Sequence, residues 1–225
     1  MTDAKQKQSN ISLGYISIIS PGSNQFIGGL MVTDSRGLPV EFRYTEPVQP
    51  SKIQQVLYGG ILGHYIKQEV ILETLLKNCE LKPHCLLTED ESLLEAQLDN
   101  LPVYRIQATK MSPVGNIGTV VPGNDNDFLV QTSSTGNPVR LYTQAKPEAT
   151  AGTGQKNIAK PAKTAGRSQP SDLSKNTQLS VISDLITHVG ESLDLTEPLD
   201  RVQKALGIIC QEMKENSQET ASKTS

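Results

Sequence analysis

"GGLMVTDSRGLPVEFRY", residues 28–44, carries two apolar runs on either side of Asp34, Ser35, Arg36 and Gly37. An acid, a hydroxyl and a guanidinium this close together could serve a reaction or reverse the chain. The flanking patterns favour reversal. Leu30 and Val32 share one face of the first run, and Val40, Phe42 and Tyr44 share one face of the second. A two-residue turn centred on Ser35-Arg36 would pair Val32 with Pro39 and demand positive φ at two residues that do not favour it. A type I turn followed by a left-handed Gly37 instead sets Val32 across from Val40, Leu30 from Phe42 and Gly28 from Tyr44. Glycine takes that backbone conformation without the clash a Cβ brings. Asp34 suits the first turn position because its carboxylate can accept local backbone N–H groups. The stretch therefore reads as a β-hairpin with a structural turn.

Upstream, "ISLGYISII" (11–19) alternates Ile11, Leu13 and Tyr15 with Ser12 and Gly14, which predicts a half-buried strand. The alternation then slips: Ile16 and Ile18 fall on the other face. Either the second half is buried on both faces or a bulge near Ser17 switches them. Downstream, Ser51 opens a helical pattern through Ile53, Val56, Leu57, Ile61, Tyr65, Leu72, Leu75 and Leu76. Gly59-Gly60 should break it, since two glycines cost roughly 2 kcal/mol relative to alanine inside a helix. A short helix over 51–58 and a longer one beyond are expected. "CLL" (85–87) predicts a strand. Thr88 and Glu91 have capping-box spacing and predict a helix to about Asp99. "VYRIQA" follows as a strand, so strand, helix and strand make a parallel crossover. "IGTVV", "DFLVQT" and "PVRLYT" give further short strands. The fold class is α+β: a mixed or antiparallel sheet with a β-hairpin and two to three helices.

The composition changes near residue 145. Residues 145–176 are rich in Ala, Lys, Pro, Gly, Ser and Thr and nearly lack large apolar side chains, so they predict a disordered basic linker. Residues 1–10 and 216–225 read as tails, 11–144 as the α+β domain, and 177–215 as a helical segment. Within that segment Leu179, Ile182, Leu185, Ile186 and Val189 make one stripe. Leu199, Val202, Leu206, Ile209 and Met213 make a second, after a start at Asp194 or Thr196 with Pro198 in the first turn. Two helices cannot bury both stripes alone. A C-terminal helical pair after the linker completes the predicted architecture.

Hydrophobic residues make up 36% of the chain and aromatic residues 4%, with no Trp. This suits an Ile/Val/Leu core better than a surface for stacking bases or sugars. A net charge of −3 is not that of a dedicated nucleic-acid binder. No run of ~20 uncharged apolar residues predicts a membrane span, and "MTDAKQKQSN" lacks the apolar region of a signal peptide. Three cysteines, Cys79, Cys85 and Cys210, suit a reducing compartment rather than a disulfide framework, so a cytoplasmic location is expected.

The chain has no Walker loop, GxGxxG, HExxH, GxSxG or CxxC. His64, Cys79, His84 and Cys85 come nearest to a metal set, but adjacent strand residues His84 and Cys85 point apart. "GNDNDF", with Asp125 and Asp127, lacks the distal bidentate Glu of a calcium loop. Glu41 and Arg43 read as the outward face of a strand. No catalytic residue, metal or cofactor is assigned.

"GGLMVTDSRGLPVEFRYTEPVQPSKIQQVLYG" resembles a pattern in a family of uncharacterised bacterial proteins: a glycine-led strand, a turn, "EF", a P-x-x-P segment and "Q-x-x-LYG". "DLTEPLDRVQKAL" resembles a second block of the same family. The resemblance implies a bacterial origin and carries neither an activity nor a catalytic residue.

The functional expectation is a non-enzymatic interaction or assembly protein, an adaptor. It would dock another protein, or a second copy of itself, through Leu199, Val202, Leu206, Ile209 and Met213. The alternative is a small-ligand or nucleotide-binding regulatory domain with a pocket formed by Tyr44, Glu46, Tyr58, Gly59 and Gly63. A third reading, an enzyme with dispersed residues, would need a deep pocket gathering His64, Arg43 and acids. No membrane partner is expected. Nucleic acid is set aside as a partner, with a lesser role left to the six Lys and Arg residues of 145–178.

Overall fold

Every apolar run that alternates, or stays apolar throughout, joins one mixed sheet. The computed structural model describes residues 11–98, 101–123, 126–144 and 194–222. Its strands are β1 (Leu13–Ile19), β2 (Ile27–Thr33), β3 (Pro39–Tyr44), β4 (Cys85–Thr88), β5 (Val103–Ala108), β6 (Val120–Pro122), β7 (Asp127–Val130) and β8 (Val139–Tyr142). They lie in the order β3-β2-β1-β4-β5-β8-β7-β6. The pairs β1–β4 and β4–β5 are parallel and the others antiparallel, so the expected crossover and the α+β class both stand. The linker over 145–176 and the stripe from Leu179 to Val189 lie outside the described residues.

The helical side begins with α1 (Lys52–Tyr58), capped by Ser51, whose hydroxyl accepts from Gln54 N while the Gln54 side chain accepts from Ser51 N. Gly59 (φ +52°) ends it, as the glycine pair requires. A 3-10 turn (Gly59–Ile61), α2 (Leu62–Tyr65), a π-helical stretch (Ile66–Leu72) and α3 (Glu73–Asn78) follow. The expected helix from Thr88 to Asp99 is not formed. Asp90, rather than Thr88, caps a five-residue 3-10 turn, Glu91–Glu95, through Ser92 N. The last helix, α4, spans Glu197–Ser222, with Asp194 accepting from Thr196 N at its entrance.

Two cores form, one on each face of the sheet. Ile16, Leu30, Ile66, Ile71, Leu72, Leu75, Leu86 and Leu93 fill one. Leu13, Tyr15, Met31, Tyr104 and Leu141 fill the other, with Leu199, Val202 and Leu206 of α4 packed among them. The question at Ser17 is answered by the uninterrupted β1–β2 register: there is no bulge, and the strand is covered on both sides. β2 is buried along its whole length for the same reason. Gly28 and Gly29 admit a helix on either face: a Cβ on Gly28 would overlap Ile71 Cγ2, and one on Gly29 would sit 3.0 Å from Leu206 Cδ2.

The hairpin turn forms as read, but the register differs by one. Gly37 has φ +78°, and its N–H donates to Asp34 O at 3.0 Å. Asp34 Oδ1 accepts from Arg36 N and Leu38 N, and Arg36 pairs with Oδ2, so the acid and the guanidinium are engaged within the turn itself. Val32 lies opposite Glu41, Met31 opposite Phe42 and Gly29 opposite Tyr44, because the register slips between Val32 and Thr33 and Val40 bulges out. With β2 buried on both faces, its side chains gave no alternation from which to choose between the two registers.

Candidate functional site

Along β5 and β8 the core takes every second residue, whereas β7 is buried at Phe128, Leu129 and Val130 alike. Tyr104 and Ile106, Val139 and Leu141, and Phe128 and Val130 are buried on one face. Arg105 and Gln107, Arg140 and Tyr142, and Asp127 therefore project from the other. The registers bring them together: Arg105 lies opposite Tyr142, Gln107 opposite Arg140, and Asp127 opposite Tyr142. The Arg105 guanidinium carbon sits 4.9 Å from the centre of the Tyr142 ring. The Tyr142 hydroxyl donates to Gln107 Oε1 at 2.9 Å. Arg140 Nε is 3.4 Å from Asp127 Oδ2, and its Nη2 meets Met111 Sδ at 3.7 Å. Arg105 also reaches Glu91 at 3.3 Å, a carboxylate 78% exposed and easily released to water.

This face offers a flat cation held over an aromatic ring, a second guanidinium and an exposed amide. A guanidinium plane can stack a base, and its N–H groups can bond phosphate oxygens. Among the described residues no group of three or more His, Cys, Asp or Glu is placed to hold a metal ion.

Arg105, Gln107, Arg140 and Tyr142 are not singled out by the sequence reading, which weighs Asp127 only as part of a calcium loop and Glu91 only as a helix cap. "VYRIQ" and "VRLYT" do carry a signal: each sets Arg two residues from a hydrogen-bonding or aromatic partner on its polar face. The pairing of the two strands, more than thirty residues apart, is what joins them.

The residues singled out from the sequence fall elsewhere. Tyr44 is half exposed and Glu46 exposed; Tyr58 stacks on Tyr65 with ring centres 4.7 Å apart. Cβ atoms added to Gly59 or Gly63 would touch nothing within 4 Å. His84 Nδ1 bonds Ser12 N at 3.1 Å, Cys85 is buried, and His64 is exposed. Glu41 holds the chain after α3: its carboxylate accepts from Glu80 N at 3.0 Å, Leu81 N at 2.8 Å and Arg43 Nε at 2.7 Å, and Cys79 Sγ also donates to it. Burial works to raise the Glu41 pKa, but these bonds outweigh it and bring it down to about 2. Burial and the neighbouring Glu41 push the Cys79 thiol up to about 11, which suits a structural cysteine.

No family model matches the chain, and no curated protein matches it. Several solved structures are similar in part, among them the three that follow. The catalytic domain of human endonuclease V shares 12% identity over 63% of this chain and 73% of its own, with a TM-score of 0.35. Ciona intestinalis endonuclease V, in complex with a 23mer DNA containing an inosine, shares 13% over 62% and 73%, with a TM-score of 0.37. Marinitoga piezophila Argonaute, in complex with a guide RNA, shares 9% over 88% of this chain and 30% of its own, with a TM-score of 0.36.

The adaptor expectation is corrected. Leu199, Val202 and Leu206 are fully buried, Ile209 packs at the edge of the same cluster and Met213 is half-buried, so the stripe meant for a partner covers the chain's own sheet. Two of these similar structures hold nucleic acid, the partner class that the sequence expectation had set aside.

Proposed function

We propose that this protein binds single-stranded nucleic acid across the outer face of β5, β8 and β7. The supporting observation is the Arg105–Tyr142 platform, backed by Gln107 and Arg140. A base stacks on the outer plane of the guanidinium, and the arginine N–H groups meet phosphate oxygens. Such stacking is worth about 1–3 kcal/mol per base and tolerates any base. Single strands fit because a paired base presents only its edge. The reading covers binding and assigns no cleavage. Free thiols at Cys79, Cys85 and Cys210 fit a cytoplasmic setting.

Fluorescence anisotropy of the full chain with labelled single-stranded and duplex oligonucleotides tests it. Saturable binding to single strands is expected, weakening as salt rises. Tyr142→Ala and Arg105→Ala should each weaken it about 5- to 150-fold, the ratio that 1–3 kcal/mol implies. Equal affinity for the two variants and the parent would refute the platform.

A further inference from the structure

The last turn of α3, the loop that leads from it to β4, and the side chains of Leu98 and Leu101 enclose a half-open cavity. Its volume is about 510 Å³, within the roughly 300–1,000 Å³ of small-molecule sites. Leu76, Leu81, Pro83, Leu98 and Leu101 form its apolar walls. Leu76, Leu98 and Leu101 border the core of Leu75, Leu86 and Leu93, yet each stays partly exposed where the cavity faces it. Leu81 is 45% exposed.

The loop wall is held in place by the rest of the fold. Glu41 accepts from Glu80 N and Leu81 N, Ser12 Oγ donates to Lys82 O at 3.3 Å, and His84 N donates to Ser12 O at 2.9 Å. The loop is thus tied to β3 at one end and to the residue before β1 at the other, which keeps it from collapsing onto the leucines. A ready-made apolar cavity spares a ligand the cost of ordering its walls. Charge on the described lining is all of one sign, from the ammonium groups of Lys77 and Lys82. Glu73 pairs with Lys77 at 2.8 Å, and Glu80 pairs with Arg43 at 3.0 Å. Lys82 is exposed and pairs with no carboxylate among the described residues.

We propose that this cavity binds a small amphiphile with one unbranched apolar tail and an anionic head, a free fatty carboxylate. The tail lies against the leucines and Pro83. The head meets Lys82, with Lys77 beside it. A base or a sugar fits less well, since the described lining has no ring to stack on and, apart from the lysines and the Cys79 thiol, no polar side chain. A cationic head would face like charge. The cavity shares no residue with the Arg105–Tyr142 platform, so it is independent of the nucleic-acid reading.

Methyl NMR spectra of the full chain, titrated with decanoate below its micelle threshold, test the site. Saturable shifts are expected at Leu76, Leu81, Leu98 and Leu101. Ile53, Val56, Leu57 and Ile61, an exposed apolar set outside the cavity, should not move. Decyltrimethylammonium, with a tail of the same length and a cationic head, should bind more weakly. Lys82→Ala should weaken decanoate about 2- to 5-fold, as loss of one exposed ion pair does, and leave decanol unchanged. Leu81→Asp should weaken decanoate about 10-fold or more, because it removes an apolar wall and adds a like charge. Both positions are exposed, so the circular dichroism spectrum should be unchanged. Shifts that fall on the exposed set as readily as on the cavity, equal binding of the two charged amphiphiles, binding to anionic vesicles without binding to decanoate, or an affinity that either variant leaves intact would each overturn the proposal.

Discussion

At the scale of single residues, space and hydrogen bonds decide more than residue type. Gly28 and Gly29 are adjacent, yet they meet different neighbours. A methyl on Gly28 must displace Ile71 within a packed core, whereas one on Gly29 presses on the end of Leu206. Gly28→Ala should therefore cost more stability than Gly29→Ala, by about 1–3 kcal/mol as overpacking does, measured by urea unfolding. Equal losses would contradict the two-sided packing of β2. Glu41 makes a different prediction. Its pKa lies below its ordinary 4.5, at about 2, so the folded state holds the carboxylate ionised. The stability it supplies is complete above about pH 4.5 and drains away as pH falls toward 2. The stability gap between parent and Glu41→Gln should narrow across that window. A gap independent of pH would show that the Glu80 and Leu81 N–H groups do not depend on the charge.

At the scale of elements, the decisive fact is where α4 packs. Its apolar stripe was legible from spacing alone, as were its entrance at Asp194 and Pro198 and the strands β1, β5, β7 and β8. What spacing could not supply was the surface the stripe covers, because that surface is the sheet itself, nearly two hundred residues upstream. The same limit explains the β3 register: alternation is erased where a strand is buried on both faces, as β2 is. It also explains Thr88–Asp99, where a capping pattern was present but Leu93 alone is fully buried, too little to sustain a longer helix. Leu206→Ala should cost about 2–5 kcal/mol, the range for a large core truncation. At this chain length that lowers the melting temperature by roughly 5–20 °C. Ending the chain at residue 193 should leave Tyr15 and Met31 uncovered and the remainder aggregation-prone. A soluble, cooperatively folded 1–193 fragment would contradict the core role of α4.

At the scale of the whole molecule, one sheet offers two different surfaces. One edge, β3 and the turn that leads into it, exposes Leu38, Val40 and Tyr44. The other end carries Arg105, Gln107, Arg140 and Tyr142 on its open face, a set that composition disguised because aromatics are scarce in this chain. Among the described residues no helix is long and apolar enough to cross a membrane. The basic stretch 145–178 could bind nucleic acid by charge alone, so affinity by itself would not place the contact. The most direct measurement is ultraviolet crosslinking of the full chain to a single-stranded oligonucleotide, with the adducts mapped by mass spectrometry. Adducts at peptides containing Arg105 and Tyr142 are the expected result. Adducts confined to residues 145–178, with none on β5 or β8, would contradict binding across the sheet face.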